Sequence, residues 1–369
     1  MAVTQIAKKL ATLFNTAPAL LTAQDQLNVR TNVYASPLDA LATYGMQING
    51  AMDYSQENGS TPRSTDGYVV DGWRLATSSV SGAQIQSQQM AGAGPGGYFP
   101  NCVRVQTVTA KPTLGAADTG IFYQVIEGSR VAPMNWGTAL AMPLSIGFWI
   151  RTFRAGSYSL AVTNPNGTRS YSVLFTTGTN TYEWKTFTIP GETTGTWPVG
   201  NTAGLNIFFG YAVGTTYQGG LNAWANGNFL SAPGATNVAA NVNDYIDVTG
   251  FVAVPGSDVP TAARSPLILR SVDREHSNVS RYYQKVTVQH RFPASSNGQY
   301  SYHTIGFHGI MRATPTVAII TAGSRANVNS PPYPLVGAVD QFAVAHYLQS
   351  LAAGDCYALG DVIACDARF

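Results

Sequence analysis

Between residues 205 and 213, Leu205, Ile207, Phe209, Tyr211 and Val213 recur at every second position, the spacing that lines one face of a β-strand. The same alternation gives Tyr158, Leu160 and Val162, then Tyr171, Val173 and Phe175, with mostly Ser, Ala or small polar residues between them. Strands are therefore predicted over 148–153, 158–162, 171–176 and 205–213, separated by Gly, Pro and Asn. Strands with one apolar face pair antiparallel and bury that face against a second sheet, so the central region 53–256 reads as an antiparallel β-sandwich. The first 52 residues follow another rule. Ile6, Leu10, Leu13 and Phe14 recur at three and four behind a cap at Thr4, and Thr22 with Asp25 marks a second helix start. Ser36-Pro37-Leu38-Asp39 supplies a third, with Gly45 as its stop. Helices this short need a neighbour to cover their apolar stripe, which suits an attachment or oligomerisation segment.

Pro255-Gly256-Ser257 ends the strand pattern, and Pro260, Arg264 and Pro266 follow, so a linker is predicted over 257–285. It carries a short amphipathic helix over 271–281 with Asp273, Arg274 and Glu275 exposed. Alternation resumes at Val286, Val288, His290 and Phe292, again at Thr316–Thr321, and at Phe342, Val344, His346 and Leu348, giving a smaller C-terminal β domain over 286–369. The fold class is thus mainly β with a helical N-terminal segment. No repeat of fixed period is visible, and heptads do not extend beyond the first helix.

Composition narrows the function classes. The 369 residues hold 21 Lys plus Arg against 19 Asp plus Glu, and charged residues make up 11% where about 25% is usual. Such a chain lacks the basic face that phosphate binding requires, which argues against nucleic acid as partner. No apolar run reaches the roughly 18 residues of a membrane span, and Asn15, Thr16 and Pro18 interrupt the stretch that follows Lys8 and Lys9, which argues against a secretory leader. Cys102, Cys356 and Cys365 are too scattered for a disulfide scaffold or zinc site. Cys356 and Cys365 could meet across a hairpin; buried free thiols are the plainer alternative.

Catalytic and metal chemistry finds little footing. All five histidines, His276, His290, His303, His308 and His346, lie in the last hundred residues, so the central region has no Ser-His-Asp set. His303 and His308 are near in sequence but have no Cys or acid at ligand spacing. Glu127, Glu183, Glu192, Asp118, Asp244 and Asp247 leave a glycosidase pair open, though Glu183 beside Lys185 reads as a cross-strand ion pair. Asp244 and Asp247 are candidate Ca²⁺ ligands; no other cofactor is expected. The run Gly92-Ala93-Gly94-Pro95-Gly96-Gly97 lacks the Gly-Lys-Ser/Thr ending of a phosphate loop and reads as a flexible surface loop.

Several stretches occur in one order that resembles a family of bacteriophage tail-fibre and virion spike proteins. The strongest is Tyr182-Glu183-Trp184-Lys185-Thr186 leading to Ile189-Pro190-Gly191-Glu192-Thr193-Thr194-Gly195-Thr196-Trp197. Phe148-Trp149-Ile150-Arg151, Tyr217-Gln218-Gly219, Ala223-Trp224-Ala225-Asn226, Ile246-Asp247-Val248 and Arg281-Tyr282-Tyr283-Gln284 add to it, and so does the segment from Asn28 to Gly50. The likeness runs in patches over 22–369 and is densest over 145–283. It departs from the family at Asn278-Val279-Ser280, where a Cys is common, and in the first helix. The resemblance implies a jelly-roll, carbohydrate-binding-like central domain, a homotrimer, partners among other virion proteins, and a place on the virion surface after synthesis in the bacterial cytoplasm.

Sugar binding uses flat aromatics against the apolar face of a pyranose and amides for its hydroxyls. The candidates are Tyr217, Gln218, Asn222, Trp224 and Asn226 in one loop, with Trp136 and Trp197 in two others, whereas Trp149 and Trp184 sit in predicted strands and read as core. The expectation is a non-catalytic fibre or spike that attaches to host surface polysaccharide. The rivals are a structural capsid, neck or baseplate component and a polysaccharide depolymerase.

Overall fold

The computed structural model describes residues 45–77, 79–257, 261–329 and 335–369, with the backbone alone for 335–338. The helices expected behind Thr4, Thr22 and Ser36 lie outside the described residues. The protein is mainly β, and its centre is a sandwich of two antiparallel sheets. One sheet has the spatial order β1 (Gly67–Val70), β2 (Trp73–Ala76), β5 (Thr119–Glu127), β10 (Ala203–Val213), β7 (Gly156–Thr163), β8 (Arg169–Thr177) and β11 (Ala225–Asn226). The other runs β3 (Gln84–Met90), β4 (Cys102–Thr109), β12 (Tyr245–Pro255), β6 (Leu144–Thr152) and β9 (Glu183–Ile189). Aromatic rings close the space between them. Phe148 meets Phe209 edge-on at 4.9 Å, Trp73 stacks on Phe122 at 5.1 Å, and Trp73 meets Phe251 at 5.0 Å.

The four strands read from alternation fall within β6, β7, β8 and β10, except that Phe153 lies just past the end of β6. Leu205, Ile207, Phe209 and Tyr211 share the inner face as expected, but Val213 does not. The register shifts between Gly210 and Ala212, and this irregularity reverses the phase: Ala212 joins the main core and Val213 turns outward beside Ile121, Phe208 and Leu230. The boundary expected at residue 52 is also corrected, because residues 46–52 are bound into the sandwich. Met46 N–H donates to Ala253 O at 2.8 Å, Phe251 N–H to Gly50 O at 2.8 Å, and the Trp73 indole to Ile48 O at 3.1 Å.

A single turn, α1 (Gly128–Val131), follows β5, and α2 (Val272–Ser280) forms where the amphipathic pattern placed it. Glu275 is not exposed as expected: it accepts from Asn49 N–H at 2.5 Å and pairs with Arg270 at 2.7 Å. No helix among the described residues is long and apolar enough to cross a membrane.

Beyond α2 come two smaller antiparallel sheets. The first joins β13 (Tyr283–Ala294), β19 (Gly354–Asp366), β15 (Thr316–Thr321) and β16 (Ser324–Ala326); the second joins β14 (Tyr300–Gly306), β18 (Ala343–Gln349) and β17 (Leu335–Val339). Strand β13 begins at 283, inside the expected linker, and exposed Phe342 precedes β18 instead of joining its inner row. This unit is fastened to the sandwich. Buried Glu127 accepts from Arg281 at 3.0 and 2.6 Å and from the Tyr282 hydroxyl at 2.6 Å, while Arg368 pairs with Glu57 at 2.5 Å. Burial alone would raise the Glu127 carboxyl, but the hydrogen bonds from Arg281 and Tyr282 outweigh it and hold the group below the usual carboxylate range.

Candidate functional site

The structure gathers the three tryptophans expected to bind ligand, and in doing so buries two of them. Trp136 lies 4.6 Å from Trp197 and 5.3 Å from Trp224, all edge-on, and Trp224 also packs on Tyr171 at 5.4 Å. Every indole N–H in the group is already committed. Trp136 donates to Met142 O at 2.6 Å, Trp197 to Thr194 O at 2.9 Å and Trp224 to Pro190 O at 2.8 Å. With 6% and 7% exposure, Trp136 and Trp197 offer no ring face to a ligand and are corrected to packing residues at the rim of the sandwich. The loop 217–228 is itself split between two faces. Trp224 packs on the inner core, whereas Tyr217 packs with Phe208 and Leu230 on the outside of the seven-stranded sheet. Gln218 donates to Val213 O at 2.7 Å, Asn226 accepts from Arg169 at 2.5 Å, and exposed Asn222 sits at φ +54° with its N–H on Ser172 O. These residues do not converge on one site.

The six carboxylates singled out in the sequence are each held by a cation. Asp247, fully buried, accepts from Arg104 at 2.8 Å and Arg151 at 2.6 Å, and Asp244 accepts from Arg154 at 2.7 Å. The oxygens of these two residues, the candidate Ca²⁺ ligands of the sequence, face guanidinium groups. Glu192 pairs with Arg169 and Asp118 with Lys111, each at 2.7 Å. Glu183 pairs with Lys185 at 2.7 Å along one strand and not across two, because residues two apart share a strand face.

His303 and His308 do not meet as a pair: His303 faces His346 across β14 and β18, and the His308 ring lies 5.5 Å from His276. Among the described residues, no group of three or more His, Cys, Asp or Glu is placed to hold a metal ion. Cys356 and Cys365 stand in one continuous strand, β19, so no hairpin joins them, and both are free.

An aromatic trough on the outer face of the five-stranded sheet was not anticipated. In β6, Phe148 and Ile150 point into the core, so Trp149 and Arg151 point out. Trp149 donates through its indole to Ser265 Oγ at 3.1 Å, and Ser265 in turn donates to Ala262 O at 2.8 Å, which pins the 3₁₀ segment Ala262–Ile268 above the sheet. Across from it lies the Gly-rich loop between β3 and β4. The Tyr182 hydroxyl and Arg151 both donate to Ala93 O, at 2.8 and 3.3 Å, and Gly94 N–H donates to Pro100 O at 2.9 Å. The run read as a free surface loop is therefore tied to the sheet.

Between loop and 3₁₀ segment opens a depression of about 270 Å³ lined by Tyr98, Phe99, Trp149 and Tyr182 with Gly96, Gly97 and Pro266. Tyr98 is 70% exposed. Gly250, at φ +59°, makes room for the floor, since a Cβ there would stand 2.8 Å from Trp149 Cδ1. Burial, then the neighbouring Cys102 and Asp247, push the Tyr182 phenol up, so it remains a neutral hydroxyl donor. The trough contains no charged side chain.

No protein-family model matches the chain, and no curated protein does. Among solved structures it is similar to the enzymatically active domain of tailspike protein 4 of bacteriophage CBA120, with TM-score 0.32 and 11% identity over 57% of this chain and 21% of that one. The chain thus spans about a fifth of that tailspike structure. It is also similar to a family 11 carbohydrate-binding module from Clostridium thermocellum in complex with a β-1,3-1,4-mixed-linked tetrasaccharide, at TM-score 0.27 and 14% identity over 52% of this chain and 95% of that one. The xylan-binding domain from Paenibacillus barcinonensis Xyn10C gives TM-score 0.28 and 6% identity, covering 55% and 99%. Likeness at this level decides nothing about activity.

Proposed function

We propose that this chain is a non-catalytic glycan-binding protein of a phage virion, and that it attaches the particle to neutral polysaccharide on the host surface. The observation that carries the glycan reading is the uncharged trough in which Tyr98, Trp149 and Tyr182 present their rings above buried Phe99 on the outer face of the sheet. A pyranose ring laid along it places apolar C–H groups against the ring faces, and its hydroxyls reach the Tyr hydroxyls and the loop backbone. Ion pairing of the nearby Asp247 and Asp244 supports binding without hydrolysis, because an acid engaged by arginine is neither a free proton donor nor a free base. The virion setting rests on the resemblance to fibre and spike proteins. Repetition of the chain on a particle would turn a weak contact into durable attachment.

The test is titration of the purified chain with host surface polysaccharide, with release of reducing ends assayed alongside. Saturable binding without cleavage is expected, and Tyr98→Ala should weaken it about fivefold, the value of one stacking contact. Binding unaffected by Tyr98→Ala removes the trough from the site, and released reducing ends overturn the non-catalytic reading.

A further inference from the structure

A second depression, of about 500 Å³, opens beside the irregularity in β10. Leu114 and Val213 form an apolar wall, and Thr113, Thr215, Gln218 and Thr236 supply polar groups. No charged side chain lines it, so it offers neither an anion nor a cation a counter-charge. Its volume falls in the roughly 300–1,000 Å³ range of small-ligand clefts.

Part of the lining is internally satisfied. Ser231 and Ser159 share a hydrogen bond at 2.5 Å, and Asn237 donates to Lys111 O at 2.9 Å while accepting from Ala239 N–H at 3.0 Å. The rest is not. The amide nitrogen of Gln218 donates to Val213 O at 2.7 Å, which fixes the side chain and leaves its carbonyl oxygen as an acceptor. Among the described residues, the hydroxyls of Thr113, Thr215 and Thr236 have no protein partner.

We propose that this cleft is a second saccharide site, which takes a neutral sugar unit independently of the trough; the proposal rests on the reading of the chain as a glycan binder. One fixed acceptor and three uncommitted hydroxyls complement the mixed donors and acceptors of sugar hydroxyls, and Leu114 with Val213 meets the sugar's C–H face. A purely apolar ligand would strand those hydroxyls, and a charged ligand would enter without a counter-ion. Two sites on separate faces let one chain hold two points of a polysaccharide, or two strands of it.

The experiment is site-resolved NMR of the full chain titrated with neutral gluco-, galacto-, manno- and xylo-oligosaccharides, following the amides of Thr215, Gln218 and Thr236 separately from those of Gly96, Gly97 and Tyr98. Two separately saturating sets are expected. The double substitution Thr215→Val with Thr236→Val keeps side-chain shape and should weaken the cleft set about tenfold, as loss of two hydrogen bonds predicts, with the trough set unchanged. Gln218→Leu should act in the same direction. Shifts confined to the trough overturn the cleft and leave the trough standing. Shifts confined to the cleft, insensitive to Tyr98→Ala, support the cleft and overturn the trough, and no shift at either place overturns both.

Discussion

Between about pH 6.5 and pH 4, the C-terminal unit should lose stability through the histidine pair that joins its two sheets. His290 on β13 and His346 on β18 are 4% and 2% exposed, and their Nδ1 atoms lie 3.1 Å apart, close enough to share one proton but not two. His290 Nε2 is 3.0 Å from Ser301 Oγ on β14, and the His303 ring stands 5.6 Å away. Asp361 on β19 lies 3.6 Å from His346 Nε2, yet it is already paired with Arg325 of β16 at 2.8 Å. Burial, then His346 and His303, lower His290 from 6.5 to about 4, and burial lowers His346 too against the pull of Asp361. A lowered histidine is neutral in the folded chain, so acidification protonates the unfolded chain first. The stabilisation is complete above pH 6.5 and is lost as the pH falls toward the folded value, by about 3 kcal/mol for His290.

The readout must come from the C-terminal unit itself. All six tryptophans lie between Trp73 and Trp224, so their fluorescence reports the sandwich. Hydrogen exchange in β13, β14, β18 and β19, corrected for intrinsic rates, should lose protection on the order of a hundredfold across the window. In His290→Gln the loss should be largely absent. Asp71 in the sandwich, pushed up to about 7 by burial, titrates in the opposite sense, but it does so equally in both proteins. Wild-type protection that runs parallel to the variant's from neutral pH to pH 4 would refute the reasoning.

Two substitutions probe the sandwich. Asp247→Ala leaves Arg104 and Arg151 side by side without their carboxylate and should cost about 3 kcal/mol in urea unfolding followed by tryptophan fluorescence; a change below 1 kcal/mol would show the pairs to be dispensable. Trp224→Ala removes the ring that packs on Tyr171, Trp136 and Trp197, so it should lower stability by about 3 kcal/mol and leave saccharide affinity at the trough intact, the reverse of what a ligand-stacking tryptophan would show.

Strand positions were legible because alternation is a local signal: Tyr158, Leu160 and Val162 must share a face wherever the strand lies. Val213 was not legible, since the register shift after Gly210 depends on pairing with β5 and leaves no mark in the alternation. The role of residues 46–52 was hidden for the same reason: their hydrogen bonds reach Gln124, 76 residues away from Ile48, and Phe251 and Ala253, about two hundred residues further along the chain than their partners.

The site was misread through an assumption about loops. Trp136 and Trp197 lie among Gly, Pro and Asn and so looked exposed, but their loops fold over the end of the sandwich and bury them against each other. Trp149 lies within a strand and so looked like core, although its own phase told otherwise: with Ile146, Phe148 and Ile150 inward, the residue between the last two must face out. That parity was the available signal for the trough.

The sparse charge also acquires a physical role. Arg104 with Asp247, Arg151 with Asp247 and Arg169 with Glu192 each join segments distant in sequence, and these pairs anchor strand ends and loops around the sandwich. Arg151 reaches past Asp247 to Ala93 O, so the buried pair also helps hold the loop that forms one wall of the trough. Charge is thus spent on holding the walls, and the surfaces between them stay uncharged. A chain built this way can present neutral aromatic and hydroxyl-lined hollows of fixed shape, and fixed shape matters most where each hydrogen bond to a sugar merely replaces one to water.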